Sequence, residues 1–159
     1  MSTTEDHKEA IVYELGYLVL PSVPEDNIPQ VVSTIVSTIE KADGKTLDSE
    51  LPVLDKLAYS MSKTVGARKY VVDEAYIGWI KFELEPSSVE KVKTGIEKME
   101  EILRFLLIKA PRETVFTFAE AREARRAKEE ALNNPEQEEA VVPTPEEIVA
   151  PTEVLGNNI

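Results

Sequence analysis

The chain has 159 residues and a mass of 17.8 kDa, 42% hydrophobic and 30% charged, which fits one compact domain with some length to spare and excludes two full ones. It has no cysteine and one histidine, His7, so disulfides, thiolate nucleophiles, iron–sulfur clusters and histidine metal clusters are excluded. The net charge of -12 counts against nucleic acid, whose phosphates select Lys and Arg, yet residues 110–159 alone carry eleven acids against five bases, half of that excess.

No run approaches the roughly 18 apolar residues of a membrane helix, and Met1–Ala10 lacks an apolar signal core. The expectation is a cytosolic protein without a membrane partner. The first element, Tyr13–Leu20, is a β-rich run closed by Pro21 and Pro24. Ile28, Val31, Val32, Ile35 and Ile39 then form one apolar helical stripe, with Glu25 and Asp26 at its start and the Asp43-Gly44 turn signal after it. Thr46–Ser62 is a second extended stretch. Pro52 lacks a ladder donor, so this stretch belongs at a sheet edge that a partner can reach.

A loop carrying Lys63, Gly66, Arg68 and Lys69 leads into a long strand from about Tyr70 to Leu84. Its second half alternates, with Ile77, Trp79, Lys81 and Glu83 on one side and Tyr76, Gly78, Ile80, Phe82 and Leu84 on the other. Pro86-Ser87-Ser88 opens a second helix with Val89, Val92, Ile96, Met99 and Leu103 on one stripe. Gly95 weakens that helix. Ile102–Lys109, a continuous apolar run stopped by Pro111, reads as the last strand. The order βαββαβ predicts an α+β, ferredoxin-like sandwich, a four-stranded antiparallel sheet with two helices on one face. Phe118–Leu132 is a further helix with almost no apolar stripe, and the Pro- and Glu-rich residues after Asn133 have the composition of a disordered acidic tail.

Enzyme chemistry has little to stand on, because no glycine-rich phosphate loop and no nucleophile elbow is present. The paired acids Asp73-Glu74 and Glu100-Glu101 read as solvated positions, and His7 lies in a polar leader. The basic residues say more. Lys63, Arg68 and Lys69 cluster, and Arg104 and Lys109 interrupt and end an apolar strand. Arg104 either pairs with a carboxylate such as Glu14 across strands or faces RNA phosphate as a bidentate donor. Trp79 and Tyr17 either pack or stack bases on an open sheet face. Arg122, Arg125 and Arg126 share a helical face, as a phosphate strip or as partners of i, i+4 glutamates such as Glu129 and Glu130.

These residues resemble a known family, the S-six protein of the bacterial small ribosomal subunit. Tyr13-Glu14 ending in Leu20-Pro21 is similar to its Y-E-x-x-x-x-x-x-P opening, and Gly44-Lys45 to its turn after the first helix. Leu57-Ala58-Tyr59-Ser60-Met61-Ser62-Lys63 resembles its L-A-Y-P-I-x-K motif. Tyr76–Leu84 and Ile102–Lys109 resemble its third and last strands, arginine and terminal lysine included. The sequence departs from the family where Val53-Leu54-Asp55-Lys56 replaces a Gly and an Arg before the motif, and in a longer Thr64–Ala75 segment.

The resemblance implies a non-catalytic protein, with no cofactor, that binds small-subunit rRNA in the central domain together with ribosomal protein S-eighteen. By the resemblance Lys63, Arg104 and Lys109 are RNA-facing or structural positions of the family motif, with Tyr13 and Tyr59 near the RNA-facing and core sides; Arg68 and Lys69, outside any motif, join them as rRNA-binding candidates. The expected organisation is a flexible leader over 1–12, the ferredoxin-like rRNA-binding domain over 13–109, a C-terminal extension with a helix over 110–133 and the acidic tail over 134–159. The competing reading is a ferredoxin-like ligand-sensing or dimerising module that does not bind RNA.

Overall fold

A computed structural model describes residues 9–133; His7, most of the expected leader and the 134–159 tail lie outside the described residues. The elements are β1 (Ile11–Val19), α1 (Ile28–Glu40), β2 (Lys45–Val65), β3 (Arg68–Leu84), α2 (Val89–Glu97), β4 (Ile102–Lys109) and α3 (Phe118–Asn133). The four strands make one antiparallel sheet in the order β2-β3-β1-β4. Two non-consecutive neighbours, β3–β1 and β1–β4, are what the two helical crossovers require. The expected βαββαβ sandwich is therefore the fold, with β2, which contains Pro52, at an edge. A register shift between Glu50 and Val53 carries that proline past the ladder.

Alternation sets the core. Tyr13, Leu15, Tyr17 and Val19 of β1 lie opposite Phe82, Ile80, Gly78 and Tyr76 of β3, and this inner face packs on Ile28, Val31, Ile35 and Ile39 of α1 and Val92 and Ile96 of α2. The Tyr13 and Phe82 rings stack at 6.1 Å. Each such aliphatic or aromatic side chain, fully buried, contributes on the order of 1.5–3 kcal/mol. The two helices meet at Gly95, where an added Cβ would overlap the Thr38 methyl. The glycine that weakens α2 locally is what lets it close on α1.

Two expectations are corrected. Leu103 belongs to β4, because α2 stops at Glu97, a full turn before the apolar stripe ends in sequence. The expected loop around Lys63–Lys69 is not a loop. Val65 pairs with Arg68 across the two-residue turn Gly66-Ala67, and Gly66 sits at φ 59, as a primed hairpin turn demands of its first central residue. Thr64–Ala75 is thus mostly strand.

This hairpin outgrows the sheet. β1 accompanies β3 only as far as Tyr76, so residues 68–72 pair with 61–65 alone as a two-stranded arm. Met61, Tyr70 and Val72 of the arm, with Leu57, pack on a second small core of Leu20, Ala75 and Leu103. The arm therefore folds across the end of the sheet where β4 begins.

Candidate functional site

The arm gathers most of the basic candidates. Lys63 lies opposite Tyr70, Thr64 opposite Lys69 and Val65 opposite Arg68, with Arg68 and Lys69 exposed at the tip. The Lys63 ammonium turns back to the body. Its Nζ donates to the Met99 carbonyl at 2.9 Å and to the Ile102 carbonyl, between α2 and β4. Burial pushes the Lys63 ammonium below the usual lysine range, a shift that Glu101 and Glu100 oppose and Arg104 reinforces.

Arg104 donates to the Ser62 carbonyl at 3.0 Å and the Leu103 carbonyl at 2.7 Å, and its side chain is exposed. The Glu14 partnership does not form: Arg104 lies opposite Leu18, whereas Glu14 lies opposite Ile108. Lys63, Arg68, Lys69 and Arg104 thus collect at one end of the molecule. Lys109 stands apart, opposite Tyr13 at the far end of β4, about 17 Å away at the rise of a strand.

The outer sheet face is built in cross-strand rows. Asp48, Lys81, Glu14 and Ile108 make one, Glu50, Trp79, Gly16 and Leu106 the next, and Val53, Ile77, Leu18 and Arg104 the third. The β2–β3 half of this face is covered by the chain after β4. Arg112 pairs with Glu83. Lys81 Nζ donates to the Glu113 carbonyl at 3.0 Å and to Thr114 Oγ1 at 3.3 Å, and Thr114 donates to Asp48 Oδ2 at 2.6 Å. Glu50 Oε2 accepts from Trp79 Nε1 and from the Phe118 amide, each at 2.8 Å.

Under this strap Trp79 is 4% and Lys81 2% exposed, with the ammonium 6.0 Å from the indole centroid. Trp79 therefore packs rather than offering a ring to bases, and Tyr17 is part of the core. The strap's own Val115 and Phe116 point away, 84% and 60% exposed.

The β1–β4 half remains open. Leu106 is 64% exposed, Ile108 is half exposed, and nothing lies within 4 Å of where a Gly16 Cβ would stand. The sequence reading missed this patch, although period 2 counted from Arg104 puts Leu106 and Ile108 on the same outer side. It also missed the strap, because Arg112–Thr117 has no periodicity and its partners are acids scattered over two strands.

Glu100 and Glu101 line a groove of about 650 Å³ of mixed character, with Asn27, Gln30 and Lys98 beside Val31 and Met99. Among the described residues no group of acids or histidines is arranged to hold a metal ion, and no helix is long and apolar enough to cross a membrane. In α3 no residue is buried.

Comparison with known proteins gives one consistent result. The sequence model of the family described as Ribosomal protein S6 matches residues 12–109. A curated relative, the small ribosomal subunit protein bS6 of Dehalococcoides mccartyi, is 26% identical over 96 residues, which is 60% of this chain and 81% of that protein. The crystal structure of 30S ribosomal protein S6 from Thermotoga maritima superposes with a TM-score of 0.53 at 20% identity, covering 76% of this chain and 99% of that one. At that identity the superposition establishes the shared fold.

Proposed function

The chain belongs to the ribosomal protein S6 family, whose members are structural constituents of the small ribosomal subunit, and on that premise we propose that it binds small-subunit rRNA of the central domain jointly with ribosomal protein S-eighteen, without catalysis, on the cytoplasmic ribosome. The observation that carries the reading is the gathering of Arg68, Lys69 and Arg104 at one end of an otherwise acidic molecule. Exposed guanidinium and ammonium groups meet phosphate there, with Lys109 as a separate contact. The arm, an extension of the hairpin that follows the L-A-Y motif, carries the contacts.

Few cations mean modest electrostatic affinity, so much of the binding comes from the protein partner. S-eighteen docks on the outer sheet face and its β2 edge. Leu106 and Ile108 are exposed on β4, and Leu51, Val53 and Leu54 along the β2 edge. In this reading residues 13–109 form the binding domain and 110–133 an extension of it.

Titration of a central-domain rRNA fragment with the S-eighteen complex at several salt concentrations tests the reading. With about three to four phosphate contacts, log affinity falls against log salt with a slope of roughly -2 to -4. The double variant Arg68→Ala/Lys69→Ala reduces that slope by about one to two. Absence of binding at low salt with the partner present would put the ligand-sensing or dimerising module in its place.

A further inference from the structure

Five basic side chains were candidates for phosphate, yet two of them are engaged with the protein's own backbone. A two-stranded ribbon has marginal stability alone, and the arm of residues 61–65 and 68–72 has no third strand. Its inner side rests on the small Leu20, Ala75 and Leu103 core, which offers apolar contact but no direction. Direction comes from two polar ties. Lys63 Nζ bridges the Met99 and Ile102 carbonyls, and Arg104, from β4, reaches the Ser62 carbonyl. The Lys63 tie spans 36 and 39 residues of sequence, fixing the arm to the turn that launches β4.

Lys63 faces the body together with Tyr70, while the neighbouring pair Thr64 and Lys69 faces out, as the two-residue alternation of a hairpin requires. Its ammonium already has two acceptors and stands in a desolvated setting. From these contacts we infer that Lys63 is a positioning residue rather than a phosphate ligand. It holds the arm in the one orientation in which Arg68 and Lys69 reach RNA. This inference rests on the proposed rRNA binding, but the arm's orientation can be measured without RNA.

The chain contains no cysteine, so Ala67→Cys at the arm's tip and Lys91→Cys on α2 give two unique sites for nitroxide labels. Pulsed EPR on the full chain then reads the tip-to-helix distance. The expected result is a narrow distribution in the labelled parent, a broad one in Lys63→Met, which keeps the aliphatic stem and loses the donors, and a narrow one again in Lys63→Arg. If the freed arm spends about a tenth of its time in the competent orientation, rRNA affinity of the S-eighteen complex falls about tenfold in Lys63→Met and recovers in Lys63→Arg.

A distribution that stays narrow in Lys63→Met overturns the inference. So does a loss of about one unit of salt slope with the distance unchanged, which marks Lys63 as a direct phosphate contact. If the parent complex binds no rRNA, the proposed function fails while the distance measurement still decides the role of Lys63.

Discussion

The strap from Arg112 to Phe118 is held closely enough to bury Trp79 and loosely enough to open. Ordering these seven residues costs roughly 7–14 kcal/mol at about 1–2 kcal/mol of backbone entropy each. Four charge-assisted hydrogen bonds, two from Lys81 and one each to Asp48 and Glu50, return roughly 6–12 kcal/mol at about 1.5–3 kcal/mol each. Covering about half of an indole of roughly 200 Å² adds about 2.5 kcal/mol. The exposed Arg112–Glu83 pair adds little.

At the middle of these ranges the closed strap is ahead by about 1 kcal/mol, well under the roughly 5–15 kcal/mol of a whole domain. Thr114→Val is isosteric at an exposed position and removes both the acceptor for Lys81 and the donor to Asp48. By the same accounting it removes about 3–6 kcal/mol from closure and makes the open form predominate. Trp79 is the sole tryptophan, so its emission shifts to the red and acrylamide quenching rises. In the parent, the Phe118 amide exchanges with solvent far faster than the amides of Leu15 and Ile80. A Phe118 amide as slow as those two, with quenching unaltered in Thr114→Val, would refute the accounting.

Gly95→Ala gains about 0.8–1 kcal/mol of helix propensity but loses about 1–3 kcal/mol to overlap with the Thr38 methyl, so urea denaturation should find it destabilised. Adding Thr38→Ser removes that methyl and should turn the effect into a net gain. The Tyr17 hydroxyl is buried with no hydrogen-bond partner among the described residues, and Tyr17→Phe should be as stable as the parent or more so by about 0.5–1.5 kcal/mol. Burial raises the ionisation of Tyr17 above its ordinary 10.0. The unfolded chain therefore loses this proton first, and parent stability falls as pH rises beyond about 10 in a way the Phe variant does not share. Removing residues 134–159, whose composition favours solvation over burial, should move the melting temperature by less than about 4 °C.

The sandwich was legible because period 3.6 and period 2 are properties of single segments. Ile28 through Ile39 mark one stripe whatever surrounds them, and Tyr76 through Leu84 alternate whatever pairs with them. The edge assignment followed as directly from Pro52. What was not legible depends on pairs distant in sequence. Lys63 looks like any solvated lysine until the Met99 and Ile102 carbonyls come beside it, and Arg104 could not be separated from Glu14 before the register put Leu18 opposite it. The turn was misread for a different reason. Basic residues on both sides of Gly66 suggest a loop by composition, but a two-residue hairpin needs only that one glycine, and everything flanking it stays in strand.

The strap also bears on how the proposed partner is held. The family match ends at Lys109, three residues before the strap begins at Arg112, so the cover over Trp79 and Lys81 lies outside the matched part of the chain. The open β1–β4 half of the outer face is two strands wide and about eight residues long, roughly 250 Å² at ordinary strand spacing. A stable protein interface takes about 800 Å² from each partner. The open half-face is too small alone, and across the outer face the exposed β2 side chain is Val53, in the row of Ile77, while Leu54, opposite Tyr76, faces the helix side at the edge. The strap lies between the two areas over the Asp48 and Glu50 rows, while the Val53–Ile77–Leu18–Arg104 row crosses beside it; its Val115 and Phe116 are largely exposed, Phe116 in edge contact with Phe118. A partner that covers both areas in full therefore either rests on the strap or displaces it. Because the strap closes by only about 1 kcal/mol, displacement costs less than about one power of ten in affinity.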